Sequence, residues 1–279
     1  MKKRLRRKSN ISRTMGALRR LFHWLHMEVA GVHNAALLLA VFTFGAQLMA
    51  LVRDRVLAHV FGAGEVLDAF YASFRVPDML YVLVASMVSV FVLVPFLDEA
   101  ARKGKKAVRA LLSGVFTAFG GALVLVSVLI AWQAPAVVEL LYGGFPPEQQ
   151  TLVVHFVQVL MLQPVLLGIS GMFSAYVQKS GRFIVYSVAP ILYNLGIVLG
   201  VVVLYPLMGI MGLAWGVVLG ALLHLLVQAP FLFSEQVFPR IVVPQWREIA
   251  RIVRVSLPRS LTLASAQLSV LVLVALGSA

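Results

Sequence analysis

The sequence predicts an all-α integral membrane protein, a polytopic helical bundle of about seven spans. Hydrophobic residues make up 61% of its 279 residues and charged residues only 13%, which is not the composition of a soluble domain. Seven apolar segments follow one another, each compatible with the roughly 20 residues that cross a bilayer core. The net charge of +13 is concentrated at the N-terminus and in short loops. This distribution indicates membrane orientation rather than nucleic-acid binding.

Residues 1–34 are predicted to form a basic tail and an amphipathic interfacial helix. Six Lys and Arg residues lie between Lys2 and Lys8, and such a tail is attracted to anionic cytoplasmic lipid. From Ile11 to Val29 apolar residues recur at steps of four and three, with Arg and His on the other faces. We interpret the tail as a disordered topology signal and the helix as lying on the membrane surface, with a docking site for a partner as the alternative for the helix. We expect no cleaved signal peptide, because no small-residue cleavage site follows the first apolar run.

The apolar segments predict a six-span lobe at 35–233, a cytoplasmic linker at 234–254 and the first span of an incomplete second lobe at 255–279. The expected spans are 35–52, 79–97, 108–132, 152–177, 183–204, 211–233 and 255–277. Because the chain ends directly after an apolar run, we expect it to be a fragment of a longer protein, with a half-size protein that must pair as the alternative.

The loops between the spans alternate in charge. Segments 98–107, 178–182 and 234–254 carry Lys or Arg and are predicted to be cytoplasmic, as is the N-terminus. Segment 133–151 and the Tyr205-Pro206 turn carry neither and are predicted to be external.

Arg53 and Arg55 break this pattern, because the segment after the first span should be external. Binding of an anion is the simplest explanation, and a local salt bridge with Asp54 or Glu65 is the alternative. Ionisable groups near membrane depth usually face a watery cavity or pair with each other.

The same stretch continues with charges on a predicted helix. Asp68 and Arg75 are seven residues apart and share one helical face, and Asp78 is placed to pair with Arg75. Pro77 should kink or restart this helix. Four further prolines are expected to interrupt other spans, which is typical of transporters: Pro95, Pro164, Pro190 and Pro258.

Other polar and small residues within the spans predict architecture. Gly212, Gly216 and Gly220 recur at spacing four, which permits close helix packing. Isolated polar side chains are interpreted as interhelical hydrogen bonders: His155, Gln158, Gln163, Asn194, His224 and Gln228.

The sequence does not predict an enzyme. It contains no GxSxG, GxxxxGK[ST] or HExxH motif, no acidic cluster suited to a divalent metal, and no cysteine. We therefore predict no catalytic residue, metal or cofactor.

Several ordered motifs occur together from about residue 40 to the end. The first group is Val52-Arg53-Asp54, Phe61-Gly62-Ala63-Gly64, Asp68-Ala69-Phe70-Tyr71 and Phe74-Arg75-Val76-Pro77-Asp78. The later group is Val94-Pro95, Gly181-Arg182-Phe183, Ala189-Pro190, Ala214-Trp215-Gly216 and Ser256-Leu257-Pro258-Arg259. In this order the motifs resemble the MurJ/MviN family of lipid II flippases.

This resemblance implies one lobe of a two-lobed transporter with a cationic central cavity, of the multidrug and oligosaccharidyl-lipid exporter superfamily. Such proteins flip the undecaprenyl-pyrophosphate-linked peptidoglycan precursor to the outer leaflet by alternating access, for cell-wall synthesis. The implied location is the bacterial inner membrane, with the N-terminus cytoplasmic. The implied partners are an anionic lipid-linked sugar pyrophosphate, membrane lipids and cell-wall synthesis proteins, without nucleic acid.

The resemblance also implies substrate-binding residues. Arg53 stands where the family has an arginine that holds the pyrophosphate, Asp54 is its acidic neighbour, and Asp68 matches a functionally important aspartate. The chain departs from the family where Gln47, Tyr81, Val82 and Ser86 replace charged residues. Arg75 and Arg259 are the candidate substitutes for the lost arginines.

Two further functions fit the same residues. One is a flippase for another lipid-linked oligosaccharide, or a cation-coupled exporter, of the same superfamily. The other is a non-transporting membrane scaffold that recruits partners through its basic N-terminal helix.

Overall fold

Helices account for nearly all of the protein between residues 31 and 278, the range that a computed structural model describes. No strand occurs within this range, so the predicted all-α fold is confirmed. The predicted basic tail and amphipathic helix lie outside the described residues.

The helices α1 to α7 come from the first half of the described chain. They are α1 (Val32–Phe61), α2 (Glu65–Ser73), α3 (Arg75–Met87), α4 (Val90–Arg102), α5 (Lys105–Val115), α6 (Gly121–Trp132) and α7 (Ala134–Tyr142). The second half forms α8 (Pro147–Leu160), α9 (Leu162–Lys179), α10 (Phe183–Leu199), α11 (Tyr205–Met208), α12 (Met211–Leu226), α13 (Ala229–Ser234) and α14 (Trp246–Ser278). Two π-helical segments, Phe116–Gly120 and Gly200–Leu204, join α5 to α6 and α10 to α11.

Five helical stretches in this part of the chain are long and apolar enough to cross a membrane. They are His33–Phe61, Lys105–Trp132, Pro147–Lys179, Phe183–Met208 and Met211–Ser234. Each contains one of the predicted spans. The predicted span at 79–97 is divided between α3 and α4, and the predicted span at 255–277 lies within α14.

The helix breaks only partly follow the prolines. α2 ends at Ser73 and α3 begins at Arg75, so the predicted restart before Pro77 is confirmed. Pro164 lies in the first turn of α9, directly after a break at Met161. The prediction was wrong for three prolines that lie inside continuous helices: Pro95, Pro190 and Pro258. One lost backbone hydrogen bond is tolerated in such a helix when packing keeps the flanking turns helical.

The predicted close packing of small residues is confirmed between α12 and the continuous stretch of α10 and its π-helical segment. Gly196 lies against Gly220, and Gly200 lies against Gly216, with backbone meeting backbone. A Cβ atom at Gly200 would lie 2.5 Å from the Cα of Gly216. Only glycine permits this approach, so the two helices are held at a short separation.

The loops meet at two separate ends of the bundle. Salt bridges join the three basic segments at one end: Lys179 with Asp98 (3.1 Å), Lys105 with Glu235 (2.8 Å) and Arg251 with Glu99 (2.9 Å). At the other end, the Tyr142 hydroxyl donates to the Ala72 carbonyl (2.8 Å), and Gln149 donates to the Glu65 carbonyl (3.3 Å). The segments that share a predicted side of the membrane therefore lie together.

Candidate functional site

A tight turn folds α2 and α3 back beside α1. Gly62 follows α1 with a φ of 65°, a left-handed conformation that favours glycine, and its amide donates to the Ala58 carbonyl (3.0 Å). Glu65 and Asp68 then lie in the first turn of α2, where carboxylates interact favourably with the helix dipole. This turn brings the charged residues of α3 next to Arg53 on α1.

A cavity of about 470 Å³ lies among α1, α2, α3, α9 and α10. Its charged lining groups are Arg53, Arg75 and Asp78. The other polar groups are the side chains of Gln163, Tyr71, Tyr81 and Tyr193. The cavity therefore presents two cations and one carboxylate, and its walls supply hydrogen-bonding groups on several sides.

The guanidinium of Arg53 is held in place by two neighbours. Its Nε donates to the Asp54 carboxylate (2.8 Å), and its Nη1 donates to the Asn194 side-chain oxygen (2.8 Å). Asn194 is itself fixed, because its amide donates to the Pro190 carbonyl (3.0 Å). The alternative of a local salt bridge with Asp54 is therefore realised in the structure, at 2.8 Å. It leaves further guanidinium donors for a ligand, since arginine carries five.

Gln163 presents an unused acceptor at the cavity. The side chain is only 3% exposed and its Nε2 donates to Asp78 (3.2 Å). Its Oε1 is buried and has no hydrogen-bond partner among residues 31–278. An unsatisfied buried acceptor is costly, so a donor on a ligand would be favoured at this position. No salt bridge joins Asp78 to Arg75 in the described chain, and Asp78 bonds to Gln163 instead.

The structure brings together three of the five residues predicted to bind substrate. Arg53 and Arg75 line the cavity, and Asp54 supports Arg53. Asp68 is exposed at the start of α2 and is not a lining residue. Arg259 is exposed on α14, with its guanidinium 4.6 Å from the ring centroid of Phe91.

Sequence reasoning did not assign the tyrosines or Gln163 to this site. Tyrosines within apolar spans give no distinct signal. Gln163 is an isolated polar residue in the sequence, and its position in the chain does not reveal that it meets Asp78. The expected interhelical role of Gln228 and His224 is confirmed, since both bond to Ser170 on α9 (2.7 Å each).

The Asp78→Asn substitution should strengthen binding of a short prenyl pyrophosphate to the purified protein about fivefold. It removes the carboxylate that lines the cavity in the described part of the chain while keeping an oxygen for Gln163. Removing the repulsion between two like charges about 4 Å apart in water is worth about 1 kcal/mol. Isothermal titration calorimetry would measure the affinity. Glu65→Gln, which removes an exposed carboxylate outside the cavity, should change it less than twofold. Weaker binding by Asp78→Asn would show that the carboxylate accepts a bond from the ligand.

The family model of lipid II flippase MurJ matches residues 57–279 of the chain. The lipid II flippase MurJ of Burkholderia cenocepacia is 28% identical over 249 residues, covering 86% of this chain and 48% of that protein. The chain spans about half the length of the curated relatives it matches. Arg53 and Asp54 precede the residues that the family model matches, so their assignment depends on the cavity geometry and on the motif resemblance.

Solved structures share the fold. A structure of lipid II flippase MurJ in an inward closed conformation superposes with a TM-score of 0.71 at 18% identity, covering 87% of this chain and 50% of that one. A transporter of the MOP superfamily from Pyrococcus furiosus gives a TM-score of 0.63 at 18% identity, covering 88% and 55%. The apolar helices and the relatives together support a multi-pass protein of the inner membrane. The chain belongs to the lipid II flippase MurJ family.

Proposed function

We propose that this chain supplies the substrate-binding lobe of a flippase that moves the lipid-linked peptidoglycan precursor lipid II to the outer leaflet. The observation that supports this most directly is the position of the Arg53 guanidinium, which Asp54 and Asn194 hold at the cavity. Its remaining N–H donors are available to a ligand. The substrate would be an anionic lipid-linked sugar pyrophosphate.

The cavity chemistry suits such a head group. Arginine presents a planar fork that matches phosphate oxygens, and the interaction strengthens where water is partly excluded. The side chain of Arg53 is 25% exposed, which leaves it reachable but partly desolvated. Arg75 adds a second cation, and the free Gln163 oxygen is suited to a hydroxyl or amide of the sugar or peptide part.

The helix breaks around the cavity supply joints for alternating access. α2 and α3 are separated at Phe74, which lines the cavity, and α8 and α9 are separated at Met161, two residues before the lining residue Gln163. A further break separates α3 from α4 at Val88 and Ser89, beyond the residues that line the cavity. Discontinuous helices at the binding site allow one part of a transporter to rock against another. The two π-helical segments are further irregularities of a kind that is frequent at functional sites.

The membrane potential would assist this export. With the cytoplasm negative, moving one net negative charge outward across the full potential gains about 2.3 kcal/mol per 100 mV. In this proposal the basic end of the bundle and the N-terminus are cytoplasmic, and the cell-wall synthesis enzymes receive the exported precursor.

A different lipid-linked glycan is the second candidate substrate. Asp78 and Tyr81 line the cavity, and Tyr81 stands where the family resemblance leads one to expect an arginine. A less cationic cavity favours a head group with fewer charges or more hydroxyl groups than that of lipid II.

Complementation tests this function. The native reading frame that contains this chain would be expressed in a bacterium depleted of its own lipid II flippase, and the precursor on the outer leaflet would be measured with an impermeant binding probe. We expect growth and surface exposure of the precursor to be restored. A well-expressed protein that restores neither would exclude lipid II transport. Binding of another lipid-linked glycan by the same protein would then favour the second candidate.

A further inference from the structure

A second cavity, of about 500 Å³, lies at the basic end of the bundle, away from the residues that line the transport cavity. We call it the linker groove. Its charged lining residues are Lys106 and Arg109 on α5, Arg240 on the linker, and Glu248 on α14. A neighbouring pocket of about 380 Å³ shares Arg109 and Arg240, so these two arginines lie between the two pockets.

The linker lies along α5 through specific hydrogen bonds. The Arg109 Nε donates to the Phe238 carbonyl (3.3 Å), and the Arg240 amide donates to the Ser113 hydroxyl (3.0 Å). One turn further along, the Val242 amide donates to the Thr117 hydroxyl (3.1 Å). The segment therefore follows the helix from its basic end towards the apolar span. Side chains of the helix thus satisfy two amides and one carbonyl of this irregular backbone, which is favourable near lipid.

Carboxylates in the described part of the chain neutralise the cations of the linker groove only in part. Lys105 is paired with Glu235, and Arg251 is paired with Glu99. Lys106 and Arg240, in contrast, have no acidic partner within 4 Å in the described part of the chain. Three cations against Glu248 leave the groove with an excess of positive charge.

Apolar side chains on and next to the same linker are strongly exposed. Ile241 is 83% exposed, Val243 is 88% exposed, and Trp246 at the start of α14 is 65% exposed. Exposed aliphatic side chains beside a tryptophan and several arginines are typical of a surface at the boundary between head groups and acyl chains.

We propose that the linker groove binds an anionic phospholipid, with its phosphate at Lys106, Arg109 and Arg240 and its acyl chains against Ile241 and Val243. The positive charge selects an anionic head group, and the adjoining apolar side chains select a lipid over a free anion. A bound lipid would bridge α5, the linker and α14. It would thereby stabilise the segment that connects the lobe at 35–233 to the helix that follows it.

Native mass spectrometry of the full chain in detergent would test this proposal with phosphatidylglycerol and phosphatidylcholine. We expect phosphatidylglycerol to be retained preferentially. The double variant Lys106→Gln, Arg240→Gln should weaken its binding about thirtyfold, because each basic residue near an anionic head group contributes a factor of about five. The Arg240 substitution keeps the backbone hydrogen bond to Ser113. An unchanged melting temperature without lipid would show that the fold is intact.

A matched double variant, Arg102→Gln with Arg254→Gln, removes two exposed cations from the same end of the bundle but outside the linker groove. It should weaken binding less than twofold. An equal loss in the matched variant would overturn the proposal in favour of diffuse attraction. Equal retention of phosphatidylcholine would overturn it as well. Displacement of the lipid by millimolar inorganic phosphate would show that the groove binds a free anion rather than a lipid.

Discussion

Replacing Arg53 with alanine should reduce the affinity for a short prenyl pyrophosphate at least thirtyfold. Arg53 is the lining cation whose guanidinium is held by two hydrogen-bonded neighbours, Asp54 and Asn194. Truncating one partner of a partly desolvated, hydrogen-bonded charge pair costs about 2 to 5 kcal/mol. Calorimetric titration of the purified chain would measure the loss. The same substitution in the native reading frame should abolish complementation.

Arg53→Lys separates the effect of charge from that of geometry. Lysine keeps the positive charge but loses the planar fork and its bonds to both neighbours, so we expect about a tenfold loss of affinity. Arg55→Ala is the matched control, because Arg55 is exposed and does not line the cavity. It should bind within twofold of the unmodified protein. If Arg55→Ala lost as much affinity for the pyrophosphate as Arg53→Ala, the ligand would be attracted by the overall positive charge of the protein and not by Arg53 specifically.

The sequence pointed to Arg53 because this residue violates the topology rule, which is a local signal. The pairing of Asp54 with Arg53 was predictable because the two residues are neighbours in the sequence. The partners that complete the site could not be predicted, because Asn194 lies 141 residues from Arg53 and Gln163 lies 85 residues from Asp78, and each pair meets only in the folded protein. Tertiary packing decides these pairs, and the periodicity of apolar residues carries no information about them.

Within residues 31–278, the five helical stretches that are long and apolar enough to cross a membrane were predictable, because apolar length is a property of each segment alone. The break at Val88 and Ser89 was not, since neither glycine nor proline marks it. Next to this break, the chain makes a contact that appears only in the folded protein: the Ser86 hydroxyl donates to the Ser260 hydroxyl on α14 (2.7 Å). Arg259 was assigned to the substrate by resemblance, but here its guanidinium lies over Phe91. Its role in substrate binding stays a prediction.

Replacing Gly200 with leucine should lower the apparent melting temperature of the protein in detergent by about 5 to 10 °C. Even a Cβ atom there would lie 2.5 Å from the Gly216 Cα and 3.0 Å from the Gly212 carbonyl oxygen, so the helices must separate. Overpacking of this kind costs about 1 to 3 kcal/mol or more, and each kcal/mol corresponds to about 2 to 4 °C for a chain of this size. Size-exclusion chromatography after heating would measure the change.

Gly121→Ala is the control for this effect, because a Cβ atom at Gly121 meets nothing within 4 Å. Alanine in this helical position should leave stability unchanged or raise it by up to about 1 kcal/mol. If Gly200→Leu were as stable as Gly121→Ala, the close contact of α12 with the π-helical segment after α10 would not contribute to stability.

The same helix contact should also affect the transport cavity. A Cβ atom at Gly220 would collide with the backbone of Tyr193, whose side chain lines the cavity, and the next residue is Asn194, which holds Arg53. Gly220→Ala is therefore expected to weaken pyrophosphate binding as well as stability. Gly212→Ala, whose new Cβ would meet the backbone of Leu204 and Tyr205 instead, should lower stability alone. Equal binding by both variants would show that Arg53 is positioned independently of the α10–α12 contact.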